Sequence, residues 1–186
     1  VHDLAPLTAL AGTTPVQDSI GPVTITEAPD WALASVAARL GQEKACSTAL
    51  ASVLGADIPG VAAHTQGPAM SAFWTGPHIW IVEAPYDSHE DLAAMLSAKL
   101  GECASVTEQS DAWVRFDVTG DGIERLFERL CNLDLAKLGQ GAARRSVIEH
   151  LGCYVIRGTE GIHVYGPRSS AQSLHHALTS AARAVF

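Results

Sequence analysis

The stretch Trp113-Val114-Arg115-Phe116-Asp117-Val118-Thr119-Gly120-Asp121-Gly122-Ile123-Glu124-Arg125-Leu126-Phe127 carries two periods in succession. Val114, Phe116 and Val118 alternate with Trp113, Arg115 and Asp117, the period of a strand with one face on a core. From Ile123 the period lengthens, and Ile123, Leu126, Phe127, Leu130 and Cys131 fall on one helical stripe. The turn Gly120-Asp121-Gly122 separates them, and Asp121, with Glu124 three residues on, is expected as the helix N-cap. A half-buried strand feeding directly into an amphipathic helix sets the unit from which an α+β chain is built.

The same grammar extends in both directions. Upstream, Val23 and Ile25 and then Leu33 to Ala37 offer strand-compatible runs around the turn-prone Ala28-Pro29-Asp30. Gln42 to Leu54 is predicted as a helix, with Ala45, Cys46, Ala49, Leu50, Val53 and Leu54 on one stripe and Gly55 as its stop. Apolar runs either side of Gly76-Pro77 predict a hairpin over Met70 to Glu83 that sets Trp74 beside Trp80. Ser88 to Leu100, opening on Ser88 with Asp91 as capping partner, reads as a helix, and Cys103 to Thr107 as a strand. Downstream, Ser146 to Leu151, Tyr154 to Ile156 and Ile162 to Tyr165 read as strands, and Ser169 with Gln172 opens a last helix carrying Leu174, Ala177, Leu178, Ala181 and Val185. The order predicts α+β architecture with two ferredoxin-like, βαββαβ-type halves, about 22–109 and 110–186, in one domain of residues 22–186. Residues 1–21, with Pro6, Gly12 and Pro15 and no period, read as an extended N-terminal arm, disordered or held by a partner.

Of the 186 residues, 47% are hydrophobic and 17% charged, which places the chain far from the disordered regime. The net charge of −8 and the lack of any basic cluster larger than Arg144-Arg145 exclude a phosphate-tracking surface, so nucleic acid is not an expected partner. Apolar runs such as Ile79 to Val82 fall far short of the ~20 residues of a membrane helix, and the polar, Pro-containing start is unlike a signal peptide. No membrane partner and a cytoplasmic location are the expectations.

A search for chemistry yields little. Cys46, Cys103, Cys131 and Cys153 stand apart with no C-x-x-C, each inside an apolar run, and are expected as buried thiols. Gly120-Asp121-Gly122 lies where a phosphate loop would lie, but it lacks the further glycines of a dinucleotide fingerprint and the Gly-Lys-Ser/Thr of a P-loop, and Asp121 would repel an anion. His175 and His176 point about 100° apart on a helix and cannot share an ion. Glu149-His150 with His163 is a conceivable metal set across strands, against the commoner role of half-buried polar residues. Glu108 and Asp111 flank Ser110 in what reads as a turn, and no nucleophile elbow is present. The reading names no catalytic, cofactor-binding or metal residue.

Two blocks carry a resemblance. Gly76-Pro77-His78-Ile79-Trp80-Ile81-Val82 resembles the Gly-Pro-x-x-Trp hairpin of the gamma subunits of heterotetrameric sarcosine oxidases. Thr107-Glu108-Gln109-Ser110-Asp111-Ala112-Trp113-Val114-Arg115-Phe116, continuing through Gly120 to Leu126 and Cys131-Asn132-Leu133-Asp134-Leu135, is similar to that family's most characteristic block. Arg144-Arg145, Glu149-His150-Leu151 and Arg157 follow in order. The central block is also distantly similar to the folate-binding domain of glycine-cleavage aminomethyltransferases. The resemblance implies an aminomethyltransferase folate-binding-domain-like fold and a non-catalytic gamma chain beside alpha, beta and delta subunits. Such a complex oxidises sarcosine to glycine, hydrogen peroxide and formaldehyde or 5,10-methylenetetrahydrofolate. It implies that FAD, FMN, NAD, tetrahydrofolate and zinc belong to the partner subunits and none to this chain. The alternative is a stand-alone folate-dependent one-carbon transferase domain.

Overall fold

The computed structural model describes residues 6–186. The chain forms two compact units: one holds the described residues up to Pro29 together with Asp111–Gln140 and Arg144–Phe186, the other Asp30–Ser110 with Gly141–Ala143.

The second of these contains strand β3 (Trp31–Ala38), helix α1 (Glu43–Leu54), strands β4 (His64–Gln66), β5 (Ser71–Gly76) and β6 (Ile79–Pro85), a single helical turn α2 (Tyr86–His89), helix α3 (Leu92–Leu100) and strand β7 (Ala104–Glu108). Its sheet runs β4-β5-β6-β3-β7 and is antiparallel throughout. Ala32, Ala34, Val36, Ala72, Trp80, Val82 and Ala84 line the sheet face that meets Cys46, Leu50 and Leu54 of α1 and Leu92, Leu96 and Leu100 of α3. The small β3 side chains let both helices lie close. The predicted stop of α1 is met, with Gly55 in the left-handed region at φ 65° donating its N–H to Ala51. The hairpin forms as read, with Trp74 directly opposite Trp80, whose indole Nε1 donates to the Pro59 carbonyl at 2.9 Å. The Ser88 cap does not form: Ser88 falls in the short turn α2, and α3 starts only after Asp91, which makes no side-chain cap.

The other unit contains β8 (Trp113–Gly120), α4 (Ile123–Leu130), β9 (Ala143–Ile148), β10 (Leu151–Arg157), β11 (Gly161–Pro167) and α5 (Ala171–Val185), preceded by β1 (Gln17–Ile20) and β2 (Val23–Glu27). Its sheet order is β1-β2-β8-β11-β10-β9. The two units share one plan. In each, the strand before the first helix lies between the second hairpin strand and one further strand, β6-β3-β7 in one and β11-β8-β2 in the other. The difference is where that further strand comes from. Val23–Glu27, read in sequence with the first half, pairs antiparallel with β8 of the second. The run Ser146 to Leu151, read as one strand, is broken by Glu149 and His150 at φ 48° and 68°, which turn the chain from β9 into β10.

Gln17–Ile20, expected in the extended N-terminal arm, is an edge strand on β2. The arm's first five residues lie outside those described. What orders the rest is Glu27, buried at the end of β2, whose carboxylate accepts the Leu10 N–H at 3.0 Å and the Val16 N–H at 3.3 Å. Arg168 Nη2 donates to the Leu7 carbonyl, and Asp18 pairs with His175 of α5 at 2.8 Å. A buried carboxylate that accepts backbone N–H groups fixes the segment beside the partial burial of Ala9 and Leu10 against the core. Glu27→Ala is expected to release residues 7–16, read as new cleavage in that segment under limited proteolysis while the rest of the chain stays resistant.

Candidate functional site

Alternation on β8 and β11 sends Val114, Phe116, Val118, Ile162 and Val164 to the helix-covered face and Arg115, Asp117, His163 and Tyr165 to the other. The register sets Arg115 opposite Tyr165 and Asp117 opposite His163, so four polar side chains meet across one strand pair. Arg115 is 6% exposed and grips Asp117 with both arms, Nε to Oδ1 at 2.7 Å and Nη2 to Oδ2 at 3.1 Å. Its Nη1 donates to the Tyr165 hydroxyl at 3.1 Å. His163 Nδ1 lies 2.6 Å from Asp117 Oδ1 and 2.9 Å from Arg115 Nη2. Nδ1 cannot both donate to the carboxylate and accept from the guanidinium; with its proton on Nδ1 the ring donates to Asp117 across the shorter contact, and Arg115 Nη2 is then a close neighbour of Nδ1 and not its donor. Nε2 then faces Gly158, at a position where a Cβ would stand 2.6 Å from it.

Burial works to raise the Asp117 pKa, but hydrogen bonds from His163 and Arg115 and their charges outweigh it, and the carboxyl is held below its ordinary value of 3.8. A depressed folded pKa contributes stability that is complete above the ordinary value and is lost as pH falls through the folded one. Between pH 5 and pH 2 the wild type is therefore expected to lose stability more steeply than Asp117→Asn, measured as urea midpoints at each pH.

A hollow of about 280 Å³ lies beside the network, lined by Asp117, Thr119, Thr159, Glu160, Ile162 and His163. It offers hydroxyls and carboxylates, but Asp117 is already spent on Arg115 and His163, and Thr159 accepts from Gln140 Nε2 at 2.9 Å. A second polar group sits in the other unit, where Ser71 donates to Glu83 at 2.6 Å and His64 Nε2 stands 3.4 Å from the same oxygen without hydrogen-bond geometry. Glutamate stands between Ser and His there, the wrong order for a nucleophile activated by a base.

The residues singled out in the sequence separate in space. His163 pairs with Ile156 on β10, while His150 sits in the turn before β10 begins, at the far end of that strand, so the Glu149-His150-His163 set does not assemble. Among the described residues no group of three or more His, Cys, Asp and Glu is arranged for a metal ion. Ser110 spends its hydroxyl on the Leu33 N–H at 3.0 Å and closes the turn after β7. Asp121 is not the cap of α4; that position belongs to Gly122 at φ 90°. The Phe186 ring lies against Gly122, with Cζ 2.9 Å from where a Cβ would be, and so occupies the helix mouth that would otherwise face an anion. Trp80 is core, and Trp113, half-buried, meets Tyr154 edge-on at 5.5 Å. The sequence reading missed Arg115 and Glu27. The one signal for Arg115 was a charged residue between Val114 and Phe116, which alternation alone assigns to solvent.

Two antiparallel sheets, each with its helices on one face and the strand before its first helix set between a hairpin strand and one further strand, define the α+β fold of the aminomethyltransferase folate-binding type. Among solved structures, the chain is similar to a chain of the heterotetrameric sarcosine oxidase from Corynebacterium sp. U-96 determined with pyrrole 2-carboxylate, with a TM-score of 0.76 and 19% identity over 90% of this chain and 87% of that one. It is also similar to glycine cleavage system aminomethyltransferase T from Bartonella henselae, with a TM-score of 0.67 and 12% identity over 84% of this chain but 45% of that one. No family model and no curated protein matches the sequence. No helix among the described residues is long and apolar enough to cross a membrane.

Proposed function

We propose that the chain is an accessory, non-catalytic gamma-type subunit of a flavin-dependent heterotetrameric sarcosine oxidase. It docks with alpha, beta and delta subunits that carry FAD, FMN, NAD, tetrahydrofolate and zinc. The observation that carries this reading is the extent of the fold match, which takes in nearly the whole of a chain from such a complex. The chemistry of the polar clusters agrees with it. Arg115, Asp117, His163 and Tyr165 answer one another across β8 and β11, as groups that clamp a sheet do, and Ser71, Glu83 and His64 lack the order of a catalytic relay. In this role the chain supplies docking surface, and oxidation of sarcosine proceeds in its partners in the cytoplasm.

The test is to recover the tagged chain from its native source and record the visible spectrum and the masses of what comes with it. Larger chains with flavin absorbance near one complex per tagged chain are expected; a colourless, solitary chain overturns the proposal. The match to an aminomethyltransferase favours a second reading, a stand-alone folate-dependent one-carbon transferase domain. Calorimetric titration of the isolated chain with tetrahydrofolate separates the two, because only the second requires heat at micromolar ligand.

A further inference from the structure

We propose that the outer edge of β9 (Ala143–Ile148) takes an extended segment of a partner subunit as an added strand, with a carboxylate of that segment opposite Arg145 and an apolar side chain opposite Val147. The inference rests on the reading of the chain as an accessory subunit and names where one partner meets it. Four strands stand at sheet edges, β1 and β9 in one sheet and β4 and β7 in the other. An unpaired edge invites another chain unless it is short or its exposed residues are polar or charged. β4 has three residues and β1 four, and the exposed positions of β1 and β7 are all polar, Gln17 and Ser19 in one and Ser105, Thr107 and Glu108 in the other. β9 has six residues and no proline, and its exposed positions are Arg145 and Val147, the valine 57% exposed.

The turn after β9 fixes which backbone groups are free. Glu149 and His150, both in the left-handed region, form a two-residue loop, so Ile148 and Leu151 close the hairpin as a hydrogen-bonded pair. Alternation then directs the N–H and C=O groups of Ile148, Ser146 and Arg144 at β10, and those of Val147, Arg145 and Ala143 outward. Ala143 agrees, since its N–H is donated to the Ala62 carbonyl at 2.9 Å. Among the described residues, the outward groups of Arg145 and Val147 have no backbone partner and the Arg145 guanidinium has no ion pair. An added strand therefore meets two open rungs with a guanidinium and an apolar side chain on one face, and pairs best with a carboxylate and a β-branched or aromatic residue opposite them. Glu149, beyond Val147, disfavours a second carboxylate at that end. A second copy of this chain does not fit the edge. With Arg145 antiparallel to the copy's Val147, the copy's Glu149 turn falls opposite Ala143, where Ala62 already lies. With Arg145 opposite the copy's Arg145, the copy's Val147 meets the same obstruction and like charges face each other.

Amide hydrogen exchange, resolved to single residues, is measured on the full chain alone and in the complex recovered with it from the native source. The Arg145 and Val147 amides are expected to exchange about tenfold or more slowly in the complex, while the amides of β7, at the edge of the other sheet, are unchanged. Val147→Pro removes an outward N–H and none that holds β9 to β10, as proline on an edge strand does. It is expected to keep the melting curve of the wild type and to lose the co-purifying chains. Arg145→Glu should lower their recovery and Arg145→Lys should retain it. The exchange measurement needs no substitution, so it decides even if Val147→Pro fails to fold. A complex in which Arg145 and Val147 exchange as fast as in the isolated chain overturns this inference alone. Slow exchange at these amides in the isolated chain, lost on dilution together with a dimer mass, also overturns it, in favour of a second copy. A chain recovered without partners overturns the reading of the chain as a subunit and this inference with it.

Discussion

Arg115→Leu is expected to cost about 3 kcal/mol of folding stability, the lower end of what breaking a buried ion pair costs, because Asp117 keeps 28% of its side chain in contact with solvent. The loss comes less from the attraction removed than from what is left behind. Arg115 supplies two hydrogen bonds to Asp117 and one to Tyr165, whose ring is fully buried. Without the guanidinium, the carboxylate keeps only His163, and the Tyr165 hydroxyl loses a charged donor. Arg115→Lys should recover a part and not the whole, since an ammonium cannot fork onto both carboxylate oxygens while reaching the phenol. The informative comparison is the double variant Arg115→Leu with Asp117→Leu, which removes the stranded charge with its partner. It should be more stable than Arg115→Leu alone, and chemical denaturation at pH 7 measures all three. If the single and double variants are equal, the network contributes packing and not charge pairing.

The fold was legible in the sequence where one period dominated. The strand from Trp113, the helix from Ile123, the stop at Gly55 and the Trp74–Trp80 hairpin all rest on local signals, period and turn chemistry, which tertiary context did not override. Three features were not legible, each for a physical reason. The pairing of β2 with β8 joins residues about ninety positions apart, and no local pattern encodes which of two similar sheets a five-residue strand completes. The break at Glu149-His150 needs positive φ from residues that carry no glycine signal, so the apolar run concealed the turn. The ordering of residues 7–16 draws on one buried carboxylate, and a glutamate at the end of a strand looks like a solvent residue until its partners, the Leu10 and Val16 N–H groups, are known. The candidate site was less legible still. Arg115 and His163 are 48 residues apart, and only the antiparallel register of β8 and β11 brings them together.

Gly120→Ala is the second change expected to have a large effect, and it decides what Gly120-Asp121-Gly122 is for. As a sequence, the tripeptide suggests a helix cap at Asp121 or an anion loop. As a structure, it is the point where β8 passes beside Pro22 and turns into α4. Gly120 sits at φ 104°, which side chains avoid, and a Cβ there would stand 2.1 Å from the Pro22 carbonyl oxygen. That contact is with backbone, so no rotamer relieves it, and the pairing of Val23 with Gly120 must open instead. Backbone strain of about 1–3 kcal/mol adds to a packing cost of about 1–3 kcal/mol, so about 3 kcal/mol or more is expected. Asp121→Ala, at an exposed residue whose side chain makes no cap, should change stability by less than about 0.5 kcal/mol. If the order is reversed, with Asp121→Ala severe and Gly120→Ala mild, Asp121 is the working residue of the turn and the close approach of β2 to β8 is not what holds the glycine there.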